Sequence, residues 1–202
     1  MKMKLLYTST SPNARTCRIA INELGLTKFV DSENVVVATP VSTNDELNQL
    51  SPLSRIPVLQ ITPGDCLYDS RVIAEYLNAL GKGELMPAEP AQKIRALNRW
   101  ALTQGMMDLC EAMEVEFKIR PEALQWQSWF DHQVARVERT LGKLEDLYPT
   151  FEHKFGLPEM ALFSALHYIE TCLKELDWRE NAVMLSIWYD VKLEHKSVTA
   201  TF

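Results

Sequence analysis

A proline stands at the head of an apolar strand candidate, and this arrangement constrains the fold more than any other feature of the chain. The candidate runs from Pro57 to Ile61. Proline is accepted at the first residue of a strand but not inside a central strand, because it has no N–H to donate. An X–Pro bond also loses most of the usual preference for the trans form. A cis bond here would turn the N–H and C=O of Ile56 outward, where they can pair with another peptide backbone.

An amphipathic helix is predicted shortly after this strand. Asp69 and Ser70 open it, and apolar residues then recur at helical spacing as far as Leu80. Asp or Ser at a helix start normally caps free backbone N–H groups, and a helix start also suits an anion. A free backbone edge, a helix cap and a carboxylate together fit a small peptide-like ligand that carries both a carboxylate and an amine.

The first 80 residues as a whole predict a small mixed sheet covered by helices. Ser11 is a good N-cap for the first helix, and Pro12 suits its first position because the missing N–H needs no partner there. The predicted elements are a strand over 4–7, a helix from 12 to about 24, a buried strand over 35–37, a short helix over 44–50, a hairpin of 58–61 and 66–68, and a helix over 70–80. The order βαβ followed by ββα is typical of one α/β domain.

The second half of the chain predicts helices only. Residues 81–90 contain two glycines and two prolines that interrupt the periodicity, so we predict a domain over 1–81, a linker over 82–90 and an all-helical domain over 91–202. Its helices are predicted over 91–117, 121–147, 157–173 and 182–191. The third is the most apolar and is expected to be buried. Residues 197–202 are expected to be a packed extension or a frayed end.

Composition excludes several classes of protein. A net charge of −6 argues against nucleic acid or an anionic membrane as the main partner. No run approaches the roughly 18 apolar residues that a membrane span requires, and the amino terminus lacks the pattern of a signal peptide. The four cysteines show neither a CxxC motif nor metal-ligand spacing, and the histidines are dispersed. We therefore expect a reduced, cytoplasmic protein without a metal site.

The proline-headed strand and the acidic–serine helix start resemble the amino-terminal, thioredoxin-like domain of glutathione S-transferases. An α/β domain followed by an all-α helical bundle extends this resemblance over nearly the whole chain. The resemblance implies an enzyme that binds glutathione as its co-substrate, stabilises the glutathione thiolate and conjugates it to a small hydrophobic electrophile. It also implies a homodimer and a role such as detoxification.

The same resemblance implies which residues form the site. In serine-type members the activating Ser stands shortly before the first helix and a few residues ahead of an Arg, which makes Ser11 the catalytic candidate, with Thr10 and Ser9 left open. The implied glutathione-binding residues are Ser9, Thr10, Pro12, Arg15, Arg55, Ile56, Pro57, Asp69 and Ser70. The implied electrophile pocket lies between the domains and takes in Met106, Met107, Cys110 and Met113, because methionine adapts to varied ligands.

Simpler interpretations stay open for several of these residues. Ser11 is also explained as a plain N-cap, and the cap and the thiol would compete for one oxygen. Arg15 is also explained as a solvated charge, Cys17 as core filler and the methionine stripe as ordinary core. Gly156 and Glu159 keep only the acidic half of the capping box that usually starts the family's central helix.

Two other functions also stay open. A transferase fold can serve as a non-catalytic binding or regulatory module, as in stringent-starvation-type proteins and translation-factor subunits. A glutaredoxin-like disulfide exchange needs a nucleophilic cysteine before the first helix. The chain has no cysteine between Ser11 and Arg15, so we rank this function last.

Overall fold

The chain folds as two units, one of which is built from both ends of the sequence. The computed structural model describes residues 2–37, 43–147 and 154–202. The first unit comprises Met1–Met86 together with Glu194–Phe202, and the second comprises Pro87–Leu193. The predicted assignment of all of 91–202 to the helical domain is therefore corrected for its last nine residues. They pack on the first helix of that unit, where Arg15 and Asn22 donate hydrogen bonds to them.

The first unit has the predicted thioredoxin-like α/β architecture. Its elements are β1 (Met3–Tyr7), α1 (Pro12–Glu23), β2 (Val30–Asn34), α2 (Asp45–Leu50), β3 (Val58–Thr62), β4 (Asp65–Leu67) and α3 (Ser70–Leu80), with a short helix over Lys196–Thr199 from the carboxy-terminal part. Ser11, Asn44 and Asp69 cap α1, α2 and α3 with their side chains. Local capping chemistry therefore places all three helix starts where the sequence predicts them.

The strands form one sheet in the order β2-β1-β3-β4. β1 runs parallel to β2 and antiparallel to β3, and β3 runs antiparallel to β4. Leu6 pairs with Val58 and Leu59 pairs with Leu67. The end of β1, the start of β3 and the end of β4 consequently lie at the same end of the sheet.

The predicted strand over 35–37 is wrong. The structure places β2 at Val30–Asn34, where only Val30 is buried, and leaves Val36 74% exposed. β2 is an edge strand of the sheet. A strand with a neighbour on one side only is held by its backbone pairing to β1 and does not need an apolar run, so the valine pattern misleads here.

The sheet is covered on both faces. Consecutive residues of a strand point to opposite faces. Leu5 packs in a cluster with α1 and α3 that contains Ile21 and Ile73, while Leu6 packs with Leu47 of α2. The two faces together bury apolar side chains from each of the three helices, and the loops at the ends of the sheet carry polar groups.

The second unit is helical, as predicted. Its helices are α4 (Pro90–Glu114), α5 (Gln127–Leu147), α6 (Leu157–Cys172), α7 (Trp178–Asn181) and α8 (Val183–Leu193), and a π-helical turn over Val115–Ile119 follows α4. α6 packs against α4 and is buried along most of its length, which confirms the prediction that it is the central helix. Among the described helices, none has the length and apolar character needed to cross a membrane.

Candidate functional site

Three segments predicted to hold a ligand meet at one end of the sheet. They are the polar loop before α1, the turn before β3 and the start of α3. The start of α3 is joined to α1 by the side chain of Ser70, whose Oγ donates to Asn13 Oδ1 at 3.0 Å, and the strand register places the start of β3 beside the ends of β1 and β4. Cys17 of α1 also lies 3.5 Å from the Ser70 carbonyl oxygen through its Sγ. The sheet order explains this meeting, because the three segments leave neighbouring strand ends.

Ser11 is a helix cap whose hydroxyl proton is still available. Its Oγ accepts a hydrogen bond from Ala14 N at 3.2 Å, and its side chain is partly exposed. A hydroxyl has two acceptor lone pairs and one donor proton. The cap uses a lone pair of the oxygen, whereas a thiolate would accept a hydrogen bond from its O–H. The two roles that were expected to compete are therefore compatible. Ser9 and Thr10, the open alternatives, are exposed beside it.

The turn before β3 has the predicted bend. The Ile56–Pro57 bond is cis, Pro57 is buried and Ile56 is half-buried. Within residues 2–37, 43–147 and 154–202, no partner for the Ile56 backbone N–H or C=O is found. Arg55, immediately before it, is exposed. This is the free backbone edge that the sequence predicts.

Asp69 and Ser70 have different surroundings although they are neighbours. The carboxylate of Asp69 accepts from Arg71 N at 2.8 Å and is about half exposed. Ser70 is only 4% exposed, and its hydroxyl proton is donated to Asn13. The Ser70 hydroxyl therefore joins α3 to α1, and Asp69 is the group that faces solvent; the implied part of Ser70 in binding glutathione stays a prediction.

Arg15 also lies elsewhere than predicted. It is 6% exposed, so it is neither a solvated charge nor a side chain that reaches toward a ligand. Its Nη1 donates to Thr201 Oγ1 at 2.9 Å, its Nη2 donates to the Ser9 carbonyl at 3.1 Å, and its Cζ lies 5.0 Å from the centre of the Phe202 ring. Helical periodicity turns Arg15 inward, where these groups satisfy it. Its predicted glutathione contact is replaced by a contact within the protein.

The predicted electrophile pocket is not supported by the side chains proposed for it. Met106, Met107, Cys110 and Met113 are at most 1% exposed. They fill the interior of the second unit along α4, which packs on α5 and α6. A side chain without accessible surface does not line an open pocket, so the alternative of an ordinary core stripe accounts for all four.

Two residues that bind predicted site residues, Asn13 and Thr201, are not predicted from the sequence. Asn13 lies within the first turn of α1 and receives the Ser70 hydroxyl, but an Asn there carries no signal of its own. Thr201 is far from Arg15 in sequence, and only the tertiary structure brings them together. Arg18, also on α1, contacts β1: its Cζ lies 4.3 Å from the centre of the Tyr7 ring. Burial lowers the pKa of Arg18.

The neighbourhood of the site offers no reactive thiol or metal cluster in the described part of the chain. Cys17 is fully buried, and burial raises the pKa of its thiol well above the usual range. Among the residues described, no group of three or more His, Cys, Asp and Glu side chains is placed to hold a metal ion.

Comparison with known proteins decides the family. Residues 5–84 match the family described as glutathione S-transferase, N-terminal domain. Over 145 residues the chain is 32% identical to the uncharacterized GST-like protein YibF of Escherichia coli K12, which covers 71% of this chain and 68% of that protein. The chain belongs to the glutathione S-transferase family. The family's fold is thus established for both units of this transferase-family chain.

Solved structures extend the likeness of this glutathione S-transferase family member to its full length. A glutathione transferase family member from Pseudomonas fluorescens Pf-5, with bound glutathione, is 30% identical and matches with a TM-score of 0.93, covering 99% of this chain and 98% of that one. A glutathione S-transferase from Methylobacillus flagellatus KT, with glutathione bound, is 32% identical with a TM-score of 0.85 and the same coverage. Both comparison proteins were solved with glutathione bound.

Proposed function

We propose that this protein binds glutathione and conjugates its thiol to a small hydrophobic electrophile. The observation that carries the proposal is the convergence of three groups at one end of the sheet: the Ser11 hydroxyl, the free backbone of Ile56 and the exposed carboxylate of Asp69. The glutathione named in the two comparison structures supports the same ligand.

Each group suits a different part of the tripeptide. The N–H and C=O of Ile56 pair with the cysteinyl backbone, as strands pair. The carboxylate of Asp69 takes the ammonium of the γ-glutamyl end. Arg55 is exposed next to Ile56 and attracts the glycyl carboxylate. Together these contacts hold the thiol toward the start of α1.

The Ser11 hydroxyl stabilises the thiolate in this arrangement. A cysteine thiol has an ordinary pKa of about 8.5, and a helix amino terminus or a hydrogen-bond donor lowers it. Ser11 supplies a donor at the start of α1, and the N–H of Ala14 that it accepts strengthens that donor. The thiolate sulfur then bonds to the electrophilic carbon. The displaced electron pair leaves with a departing group or moves to an acceptor atom that takes up a proton.

The test is a glutathione titration that follows the ultraviolet absorbance of the thiolate. We expect wild-type protein to develop the thiolate band at neutral pH and Ser11→Gly to lose most of it, because glycine removes the hydroxyl yet lowers cap stability by only a few tenths of a kcal/mol. Ser11→Thr, which keeps both hydroxyl and cap, is the matched control and should retain the band.

Two results would contradict the proposal. A thiolate band of equal strength in Ser11→Gly would transfer the role to Ser9 or Thr10, and the corresponding Ala variants would identify which. Absence of glutathione binding in the wild type would instead favour a non-catalytic binding module. We propose in addition that the protein is a cytoplasmic homodimer that serves detoxification, in keeping with its family.

A further inference from the structure

The carboxy-terminal segment, Glu194–Phe202, packs on the first unit along α1. Asn22 Nδ2 donates to the Ser197 carbonyl at 3.4 Å, and His195 lies 3.7 Å from Glu23. Nearer the start of α1, Arg15 donates to both the carbonyl and the Oγ1 of Thr201. The segment therefore follows the helix from its end toward its beginning, where the glutathione site is proposed.

A single guanidinium joins this segment to the loop that carries the hydroxyl groups. While Nη1 of Arg15 binds Thr201, its Nη2 binds the carbonyl oxygen of Ser9 at 3.1 Å. The backbone N–H of Arg15 also donates to the Ser11 carbonyl at 3.0 Å. Arg15 thus binds Ser9 through its side chain and Ser11 through its backbone N–H.

The contact between Arg15 and Thr201 is buried, so its polar groups depend on hydrogen bonds within the protein. Arg15 is 6% exposed and Thr201 is 2% exposed. A buried charge is tolerated only when hydrogen bonds satisfy it. Thr201 Oγ1 accepts from Arg15 and donates to the Val198 carbonyl at 2.7 Å, so its orientation is set on both sides. If Thr201 lost its hydroxyl, Arg15 Nη1 would lose the shorter of its two bonds to Thr201 and keep the 3.3 Å bond to the carbonyl.

We propose that the carboxy-terminal segment positions the thiol-activating loop, residues 8–11, through the contact of Thr201 with Arg15. Thr201 and Arg15 are positioning residues: they do not touch glutathione, but they set where the Ser11 hydroxyl stands. The chemical consequence rests on the proposed function, whereas the structural one does not.

The experiment compares Thr201→Val with Thr199→Val. Valine has nearly the shape of threonine but lacks the hydroxyl. Thr199 lies in the same segment, is exposed, and donates to Lys196 O, with no bond to Arg15 among the described contacts, so its variant is the matched control. Thr201→Ser restores a hydroxyl and serves as the rescue.

Two quantities are measured in each variant. The first is amide hydrogen exchange of residues 8–14 without glutathione, which we expect to rise roughly tenfold in Thr201→Val, because a hydrogen bond to a buried charge is lost. The second is the pKa of the bound glutathione thiol, read from the thiolate band against pH, which we expect to move upward in that variant. Thr199→Val and Thr201→Ser should match the wild type in both.

The outcomes separate the two proposals. Equal exchange in Thr201→Val and Thr199→Val would overturn the positioning role, as would faster exchange with an unchanged thiol pKa. If wild-type protein gives no thiolate band, the proposed function fails, and the exchange comparison still decides whether the segment positions the loop. If Thr201→Val does not fold, Phe202→Leu provides the same two readouts, because it removes the ring over the guanidinium without touching the buried hydrogen bonds.

Discussion

At the scale of single residues, identical side chains take opposite roles according to their surroundings. Ser11 and Ser70 both stand at the start of a helix of the first unit. Ser11 accepts its bond from a backbone N–H and keeps its proton, whereas Ser70 donates its proton to Asn13 and is buried. Only the first can donate to a ligand, and the distinction depends on a neighbour from another helix.

The cysteines give a prediction at this scale. Burial raises the pKa of Cys17 well above the usual range and that of Cys110 to about 12, so at neutral pH both remain protonated and unreactive. Cys66 and Cys172 are only partly buried. We expect iodoacetamide at pH 7.5 to modify Cys66 and Cys172 in the native protein and to leave the other two unmodified, as read by peptide mass spectrometry.

Denaturant provides the control, since all four cysteines should then react. Rapid labelling of Cys17 in the native state would mean that the thiol beside Ser70 is accessible. That result would reopen the disulfide-exchange function that the sequence ranks last.

At the scale of elements, helix starts decide much of the fold. α6 begins at Gly156, which has no side chain to cap with, and the backbone N–H of Gly156 donates to Glu159 Oε2 at 3.1 Å. The other oxygen of Glu159 accepts from Arg99 Nη2 at 3.1 Å. The acidic half of the predicted capping box is therefore present, and the same carboxylate also joins α6 to α4 through an ion pair.

Removing this carboxylate should destabilise the helical unit. We expect Glu159→Ala to lower the free energy of unfolding by about 3 kcal/mol, because it removes both the ion pair with the largely buried Arg99 and the cap on the Gly156 N–H. All five tryptophans lie in the second unit, so denaturant unfolding followed by tryptophan fluorescence measures the loss.

Glu89 is the matched control for that variant. It caps α4 through bonds to Ala91 N and Gln92 N but is exposed to solvent. Glu89→Ala should cost much less. The bond from Ala91 N lowers the pKa of Glu89, so its stabilisation is present above the ordinary pKa of a carboxyl and is lost as the pH falls through the lowered value. Equal losses in the two variants would refute the role given to burial.

At the scale of the whole molecule, the proposed homodimer needs a surface that two copies can share. Ile94 is 64% exposed and lies one turn from Leu97 on α4, beside an open depression of about 480 Å³ that Arg95 and Asn98 also line. Exposed apolar side chains next to a concave surface are typical of interfaces between proteins. α8 also carries exposed apolar residues, Val183, Met184, Ile187 and Val191.

Light scattering tests this arrangement. We expect twice the 23.1 kDa of one chain for the wild type and for Ile187→Glu, and the mass of one chain for Ile94→Glu, because a charge placed in an apolar interface opposes association. A monomeric wild type would refute the dimer. If only Ile187→Glu dissociated the dimer, the interface would lie on α8 and not on α4.

Features that depend on neighbouring residues are predictable from the amino-acid sequence alone. Capping side chains, a proline at a strand's head and helical periodicity act over one or two turns, so the starts of α1 and α3, the bend at Ile56 and the buried character of α6 were all predicted. The apolar run at 35–37 misled because an edge strand is held by pairing more than by its own side chains.

Contacts between separate elements became visible only in the folded chain. The inward turn of Arg15, the bond of Ser70 to Asn13, the burial of the α4 methionines and the return of Glu194–Phe202 to the first unit each join residues from separate elements. No local pattern encodes such a contact, because its free energy comes from burying polar groups against partners that the folded chain alone brings within reach.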